Sequence, residues 1–268
     1  MQRRVCQYMT GAAYLRDQVA LVTGADSGIG QAIAVAFARH GADLMVVFHS
    51  DRAGAQNTLG QVEAAGRRAV VRQADVRDQR AVAELFDERD GLAVPFILVN
   101  AAGVGAGGTP VAETPGDAWD RVIRTDLYGP FHCCRHFVQA RKAEGGHGKI
   151  INITSVHEAI PSPNAAAYGA AKGGLLTFTR SLALEVAPDR INVNAIAPGM
   201  IKTPMTADRA DDPQKLREAE RHIPLGRAGE PWEVAALAVY LASPAADYVT
   251  GQSFTIDGGL EMNWGQGA

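Results

Sequence analysis

Cysteine is scarce in this chain: Cys6, Cys133 and Cys134 are the only three in 268 residues. An odd count with no Cys-x-x-Cys spacing argues against a disulfide framework and against a structural zinc site. It fits a reducing, cytoplasmic compartment, with the neighbours Cys133 and Cys134 read as packed helix residues. Long apolar runs are missing too; none reaches the about 18 residues of a membrane span. Nor is there an excess of one charge. Lys and Arg number 26 against 29 Asp and Glu, a net charge of −3, so neither nucleic acid nor a membrane surface is an expected partner. Glycine, by contrast, is abundant at 29 residues, above the average of about 7%, and it is clustered.

At about 150 residues per domain the length allows one or two domains, and 47% hydrophobic residues suffice for the core of one large α/β domain. Residues 1–15 hold Arg3 and Arg4 and no acid. They are read as an N-terminal extension, with Met9 as an alternative start, that lacks the apolar segment of a targeting peptide. The domain is expected over residues 16–268. Strands are expected at Val19–Thr23, Leu44–Phe48, Ala69–Gln73, Ile97–Asn100, Lys149–Ile153, Ile191–Ile196 and Ser253–Ile256. Helices are expected at Gly28–His40, Gly54–Ala65, Gln79–Arg89, Asp117–Lys142, Ala165–Val186, Asp212–His222 and Pro231–Ala242. This alternation calls for a parallel sheet covered on both faces, a doubly wound α/β domain. Loops at Gly103–Gly116 and Pro198–Pro213 follow strands, where open α/β folds bind ligands, and the second is long enough to form a lid.

The first strand runs into Gly24-Ala25-Asp26-Ser27-Gly28-Ile29-Gly30 and then an apolar-periodic helix. Gly24 permits the turn, Gly28 clears space for a pyrophosphate, and Gly30 lets helix and strand approach. The helix N-terminus offers N–H groups and a positive dipole end to phosphates. Strand, glycine loop and helix together point to a dinucleotide site that includes Ser27 and Ile29. The choice of cofactor is read at Phe48-His49-Ser50-Asp51-Arg52. His49 and Arg52 suit the 2′-phosphate of NADP, while Asp26 and Asp51 oppose it, so NADP is favoured with NAD allowed. Asp75, with Val76, either meets the adenine or caps the helix that follows.

Tyr168 and Lys172 stand four residues apart on one expected helix and share a face. A tyrosine, with its ordinary pKa near 10, is a poor base at neutral pH; a neighbouring ammonium stabilises its phenolate. Ser155, at the end of the fifth strand, is placed to hold a substrate oxygen while Tyr168 moves the proton.

Together, Thr-Gly-x-x-x-Gly-Ile-Gly at Thr23–Gly30, Asn100-Ala-Ala-Gly103, Ser155, Tyr168-x-x-x-Lys172 and Pro198-Gly199 resemble the short-chain dehydrogenase/reductase family over nearly the whole chain. The resemblance implies a single Rossmann-type domain with seven parallel strands in the order 3-2-1-4-5-6-7, usually as a homotetramer. It implies Tyr168 as catalytic acid/base and Ser155 as the group polarising the substrate. Lys172 would acidify the tyrosine and grip the nicotinamide ribose, and Ile201 and Thr203 would hold the carboxamide. Asn100, Gly103, Pro198 and Gly199 are carried over as cofactor-binding positions.

Two positions depart from the family pattern. Ala101 stands where a second asparagine braces the sheet, and Asp126 replaces the asparagine of the catalytic tetrad. The segment Ser155-Val-His-Glu-Ala-Ile-Pro161 is similar to bacterial glucose 1-dehydrogenases. That likeness implies oxidation of an aldose at C1, with His157 reaching a sugar hydroxyl or else serving as a polar loop residue. Gly105, Lys202 and Asn263 differ from those enzymes, which leaves another sugar or a polyol open as substrate. The rival readings are a general carbonyl or 3-oxoacyl reductase and, more remotely, an inactive dinucleotide-binding regulator. The helices Asp117–Lys142 and Ala165–Val186 are apolar on more than one face, as subunit contacts require.

Overall fold

The computed structural model describes residues 14–105 and 108–263. In chain order the first half gives β1 (Val19–Thr23), α1 (Gly28–Arg39), β2 (Asp43–Phe48), α2 (Arg52–Ala64), β3 (Ala69–Gln73), α3 (Gln79–Asp87) and β4 (Ile97–Asn100). Then come α4 (Gly116–Ile123), a π-helical turn (Arg124–Tyr128), α5 (Gly129–Ala143), β5 (Gly148–Ile153), α6 (Ala166–Val186) and β6 (Ile191–Pro198). The short helices α7 (Ala207–Ala210) and α8 (Pro213–Glu220) precede α9 (Pro231–Ala242), β7 (Ser253–Ile256) and α10 (Leu260–Asn263). Of the extension expected at residues 1–15, residues 1–13, with Cys6 and Met9, lie outside the described residues.

The seven strands form one sheet in the order β3-β2-β1-β4-β5-β6-β7, and every pairing is parallel. Side chains alternate across a strand, and here both sides are apolar. Ala20, Val22, Leu44, Val46, Ile97 and Val99 pack on one face against Ile33 and Phe37 of α1, Val62 of α2 and Val234 of α9. Leu21, Met45, Val47, Leu98 and Ile150 face the other way, onto Leu85 and Phe86 of α3, Phe137 of α5 and Leu182 of α6. Burying each large side chain stabilises the fold by roughly 1.5–3 kcal/mol before chain entropy is set against it. The first core includes Leu15, 1% exposed, whose N–H donates to the His40 carbonyl.

Two boundaries differ from the sequence expectation for identifiable reasons. The helix expected over residues 117–142 is broken by the π-helical turn at Arg124–Tyr128. Pro130, in the first turn of α5, has no N–H to give the carbonyl four residues back, at Asp126, so the α register cannot continue there. Second, α2 starts at Arg52 because the Asp51 side chain accepts the Gly54 N–H at 2.9 Å. The end of β5 at Ile153 is as expected; Ser155 lies two residues past it, where its side chain caps the turn Val156–Glu158 by accepting the His157 N–H at 3.2 Å.

Cys133 and Cys134 lie fully buried on α5. Burial pushes the Cys133 thiol up to about 12 and that of Cys134 higher still, so neither supplies thiolate at neutral pH. Alkylation with iodoacetamide followed by peptide mapping should leave both unmodified in native buffer and modify both in denaturant; rapid native labelling would contradict this packing.

Candidate active site

A cavity of about 520 Å³ opens at the carboxyl ends of the central strands. One wall is the loop after β1. Gly24 has φ +63°, and a Cβ there would lie 2.8 Å from the Ala102 backbone. At Gly30 a Cβ would lie 2.1 Å from the Gly24 carbonyl oxygen, so only glycine lets the loop close onto the start of α1. Thr23 ties this loop to the next one: its Oγ1 accepts the N–H groups of Ala101 and Ala102, each at 3.1 Å. Ser27, Gly28 and Ile29 complete this wall. The backbone cradle left by absent side chains, opening onto a helix N-terminus, fits the diphosphate of a dinucleotide.

His49, Asp75 and Val76 line the far end of the cavity. The alternative reading of Asp75 as the cap of α3 fails, because Asp78 accepts the N–H groups of Arg80 and Ala81 there. Asp75 is instead gripped by the Arg77 guanidinium at 2.6–3.0 Å, which holds its carboxyl below the usual range. The His49 imidazole lies 3.7 Å from the same carboxylate. Asp26 also faces the cavity; burial and the charge of Asp51 raise its pKa. Arg52 is not in this wall. Its guanidinium stacks over Phe48, 5.4 Å from the ring centroid, and bonds Gln73.

Asn100, carried over as a cofactor-binding position, is also outside the cavity wall. Its side chain is 2% exposed and donates to Asn152 Oδ1 at 2.8 Å and to Cys134 Sγ at 3.4 Å. Asn152 donates in turn to Thr179 on α6 at 2.8 Å. The bracing expected of a second asparagine is thus supplied by Asn100 itself, which explains how Ala101 is tolerated.

Ser155, Tyr168, Lys172 and Asp126 converge at the near end of the cavity, with Gly103, Pro198, Gly199, Ile201 and Thr203 around them. Lys172 Nζ donates to the Ile153 carbonyl at 3.1 Å, lies 3.1 Å from Asp126 Oδ2 and sits 5.4 Å from the centroid of the Tyr168 ring. Asp126 is completely buried, and its Oδ1 accepts the Val104 N–H at 2.9 Å. Burial alone would lower the Lys172 pKa; the Asp126 carboxylate, together with Tyr168 and Glu158, outweighs it and holds the ammonium above the ordinary lysine value. Gly103 makes the pair possible, since a Cβ there would lie 2.9 Å from Asp126 Oδ2.

The candidate sugar contact His157, and the departing residues Lys202 and Asn263, are bonded within the protein. His157 does not line the cavity; its Nδ1 is 3.1 Å from the Ile160 carbonyl, which makes it the donor, and its ring meets Tyr168 edge-on at 6.1 Å. Lys202 pairs with Glu230 at 2.9 Å, and Asn263 donates to the His222 carbonyl. The cavity wall gains Val104, Met205, Thr206, Arg77, Arg121 and Thr125, none of which the sequence reading singled out. The i, i+4 spacing of Arg121 and Thr125 was the available signal that these two share a face.

These features are shared with known proteins. A family model described as enoyl-(acyl carrier protein) reductase matches residues 24–261. The uncharacterized oxidoreductase YohF of Escherichia coli is 41% identical over 91% of this chain and 96% of its own. The 3beta-hydroxysteroid dehydrogenase 1 of Eggerthella lenta is 40% identical over 94% and 98%. A structure from Agrobacterium tumefaciens, provisionally named a 2-deoxy-D-gluconate 3-dehydrogenase and holding NADP, superposes with a TM-score of 0.86 at 35% identity, covering 94% of this chain and 99% of that one. The chain belongs to the short-chain dehydrogenase/reductase family. It is an oxidoreductase that works with NAD or NADP on a small molecule.

The cradle gives a direct test. Gly30→Ala should raise the Kd for NADP by about tenfold or more, a loss of ~1.4 kcal/mol, measured by titration calorimetry. Unchanged affinity in the folded variant would contradict the assignment of the glycine loop.

Proposed function

We propose that this protein moves a hydride between a sugar or polyol and the nicotinamide, as an aldose 1-dehydrogenase acting on a glucose-like substrate. The observation that carries the chemistry is the placement of Lys172, held by Ile153 and Asp126 beneath the Tyr168 ring. Ser155 holds the substrate oxygen. Tyr168 takes its proton in oxidation and returns it in reduction, and the Lys172 ammonium steadies the phenolate between the two. Gly24, Ser27, Gly28, Ile29 and Gly30 would hold the diphosphate, with His49, Asp75 and Val76 at the adenosine. Pro198, Gly199, Ile201 and Thr203 would hold the nicotinamide end, with Gly103 beside it. When bound, the nicotinamide supplies the acceptor or donor of the hydride.

The sugar reading is supported by the Ser155–Pro161 segment and by the gluconate-named neighbour. One observation favours a second reading, a reductase of less polar carbonyl compounds. The substrate end is lined by Val104 and Met205, while Lys202 and Asn263 are spent on protein partners.

We place the enzyme in the cytoplasm, where Cys133 and Cys134 stay reduced. No helix among the described residues is long and apolar enough to cross a membrane. A homotetramer is supported by Trp119 of α4, Tyr128 of the π-helical turn, Phe131 of α5 and Leu184 of α6, all exposed.

Turnover of aldoses, polyols and small ketones with both cofactors, followed by nicotinamide absorbance, tests the substrate reading. Oxidation of aldoses well above the other classes is expected; activity confined to ketones would overturn it. Tyr168→Phe should lower kcat by about 10²–10⁴-fold, the range for one acid/base group, with nucleotide affinity little changed. A variant keeping about a tenth of the wild-type rate would remove Tyr168 from the chemistry.

A further inference from the structure

The buried carboxylate of Asp126 changes what Tyr168 experiences. An ammonium alone beside a phenol favours the phenolate, but an ammonium 3.1 Å from a carboxylate is half of a nearly neutral pair. Both members are sealed from solvent: the Asp126 side chain is 0% exposed and that of Lys172 6%, so water does little to screen the interaction. We infer that the Asp126–Lys172 ion pair cancels most of the charge that would otherwise acidify Tyr168. Alcohol oxidation by this site should therefore need a more alkaline medium than it would with an uncharged side chain at position 126. Asp126 acts through Lys172 and is a positioning residue.

The inference rests on the proposed role of Tyr168 as acid/base. In reduction the carbonyl carbon receives a hydride from the reduced nicotinamide, and its oxygen receives the Tyr168 proton. In oxidation the hydroxyl proton passes to the Tyr168 phenolate as the carbon gives its hydride to the oxidised nicotinamide. Reduction therefore needs the phenol and oxidation needs the phenolate.

The remaining charged groups near this pair do not restore the lost positive field. Glu158, from the turn after β5, adds a second negative charge within reach of Lys172; its Oε1 accepts the Ser253 hydroxyl of β7 at 2.6 Å. His157 meets the Tyr168 ring edge-on and donates through Nδ1 to Ile160. From α4, Arg121 lines the cavity but is exposed to solvent.

Asp126→Asn removes the charge and keeps an oxygen for the Val104 N–H. The phenolate of residue 168 can be titrated by ultraviolet absorbance without cofactor, subtracting the same protein carrying Tyr168→Phe. The midpoint in Asp126→Asn should fall by about one pH unit or more, the range for a single charge within a few ångströms. The acid limb of kcat for alcohol oxidation should move by the same amount. An unchanged or higher midpoint would overturn the inference, as would a uniform loss of rate with no movement along the pH axis. Asp126→Ser provides the same test should the asparagine variant not fold. A moved midpoint in a protein inactive on every alcohol and carbonyl tried would retain the inference and defeat the substrate reading.

Discussion

One ammonium organises this site. Lys172 is nearly inaccessible to water, and a buried cation is tolerable only when its donors are met by fixed acceptors. The Ile153 carbonyl and the Asp126 carboxylate meet that need. In doing so they fix the ammonium under the Tyr168 ring and tie α6 to the end of β5 and to the π-helical turn. Taking away one partner of such a pair costs about 3–5 kcal/mol when nothing polar replaces it.

The rest of the fold places these groups at one edge of the sheet. Parallel pairing brings the carboxyl ends of β1, β4, β5 and β6 together, and the loops leaving them make the cavity. Behind that edge, the buried chain from Asn100 through Asn152 to Thr179 fastens β4, β5 and α6 at fixed spacing. The π-helical turn is part of the same design. Pro130 interrupts the helix at Asp126, and Gly129 passes Val76 so closely that a Cβ would lie 2.7 Å from its side chain. The helix thereby presents a carboxylate to the ammonium and backbone to the loop after β3.

Much of this was legible beforehand because the informative residues act locally. The glycine loop, the strand runs and the i, i+4 pair of Tyr168 and Lys172 declare themselves by spacing, and the strand order followed from the family resemblance. Properties set by side-chain direction were not legible. Arg52 and His49 both looked suited to a 2′-phosphate, yet Arg52 turns back over Phe48. Asn100 matched a cofactor motif and braces the sheet instead. Lys202 and Asn263 are polar residues whose partners, Glu230 and His222, come from segments that spacing does not connect to them. The helix break was hidden because apolar periodicity continues through it; the proline after Gly129 was its only mark.

A crystal structure with NADP bound tests the central claim most directly. The account predicts the diphosphate against Gly28 and Gly30, the nicotinamide beside the Tyr168 hydroxyl, and Lys172 Nζ still shared between Ile153 and Asp126. A dinucleotide seated elsewhere, or a Tyr168 hydroxyl turned away from the nicotinamide, would contradict it.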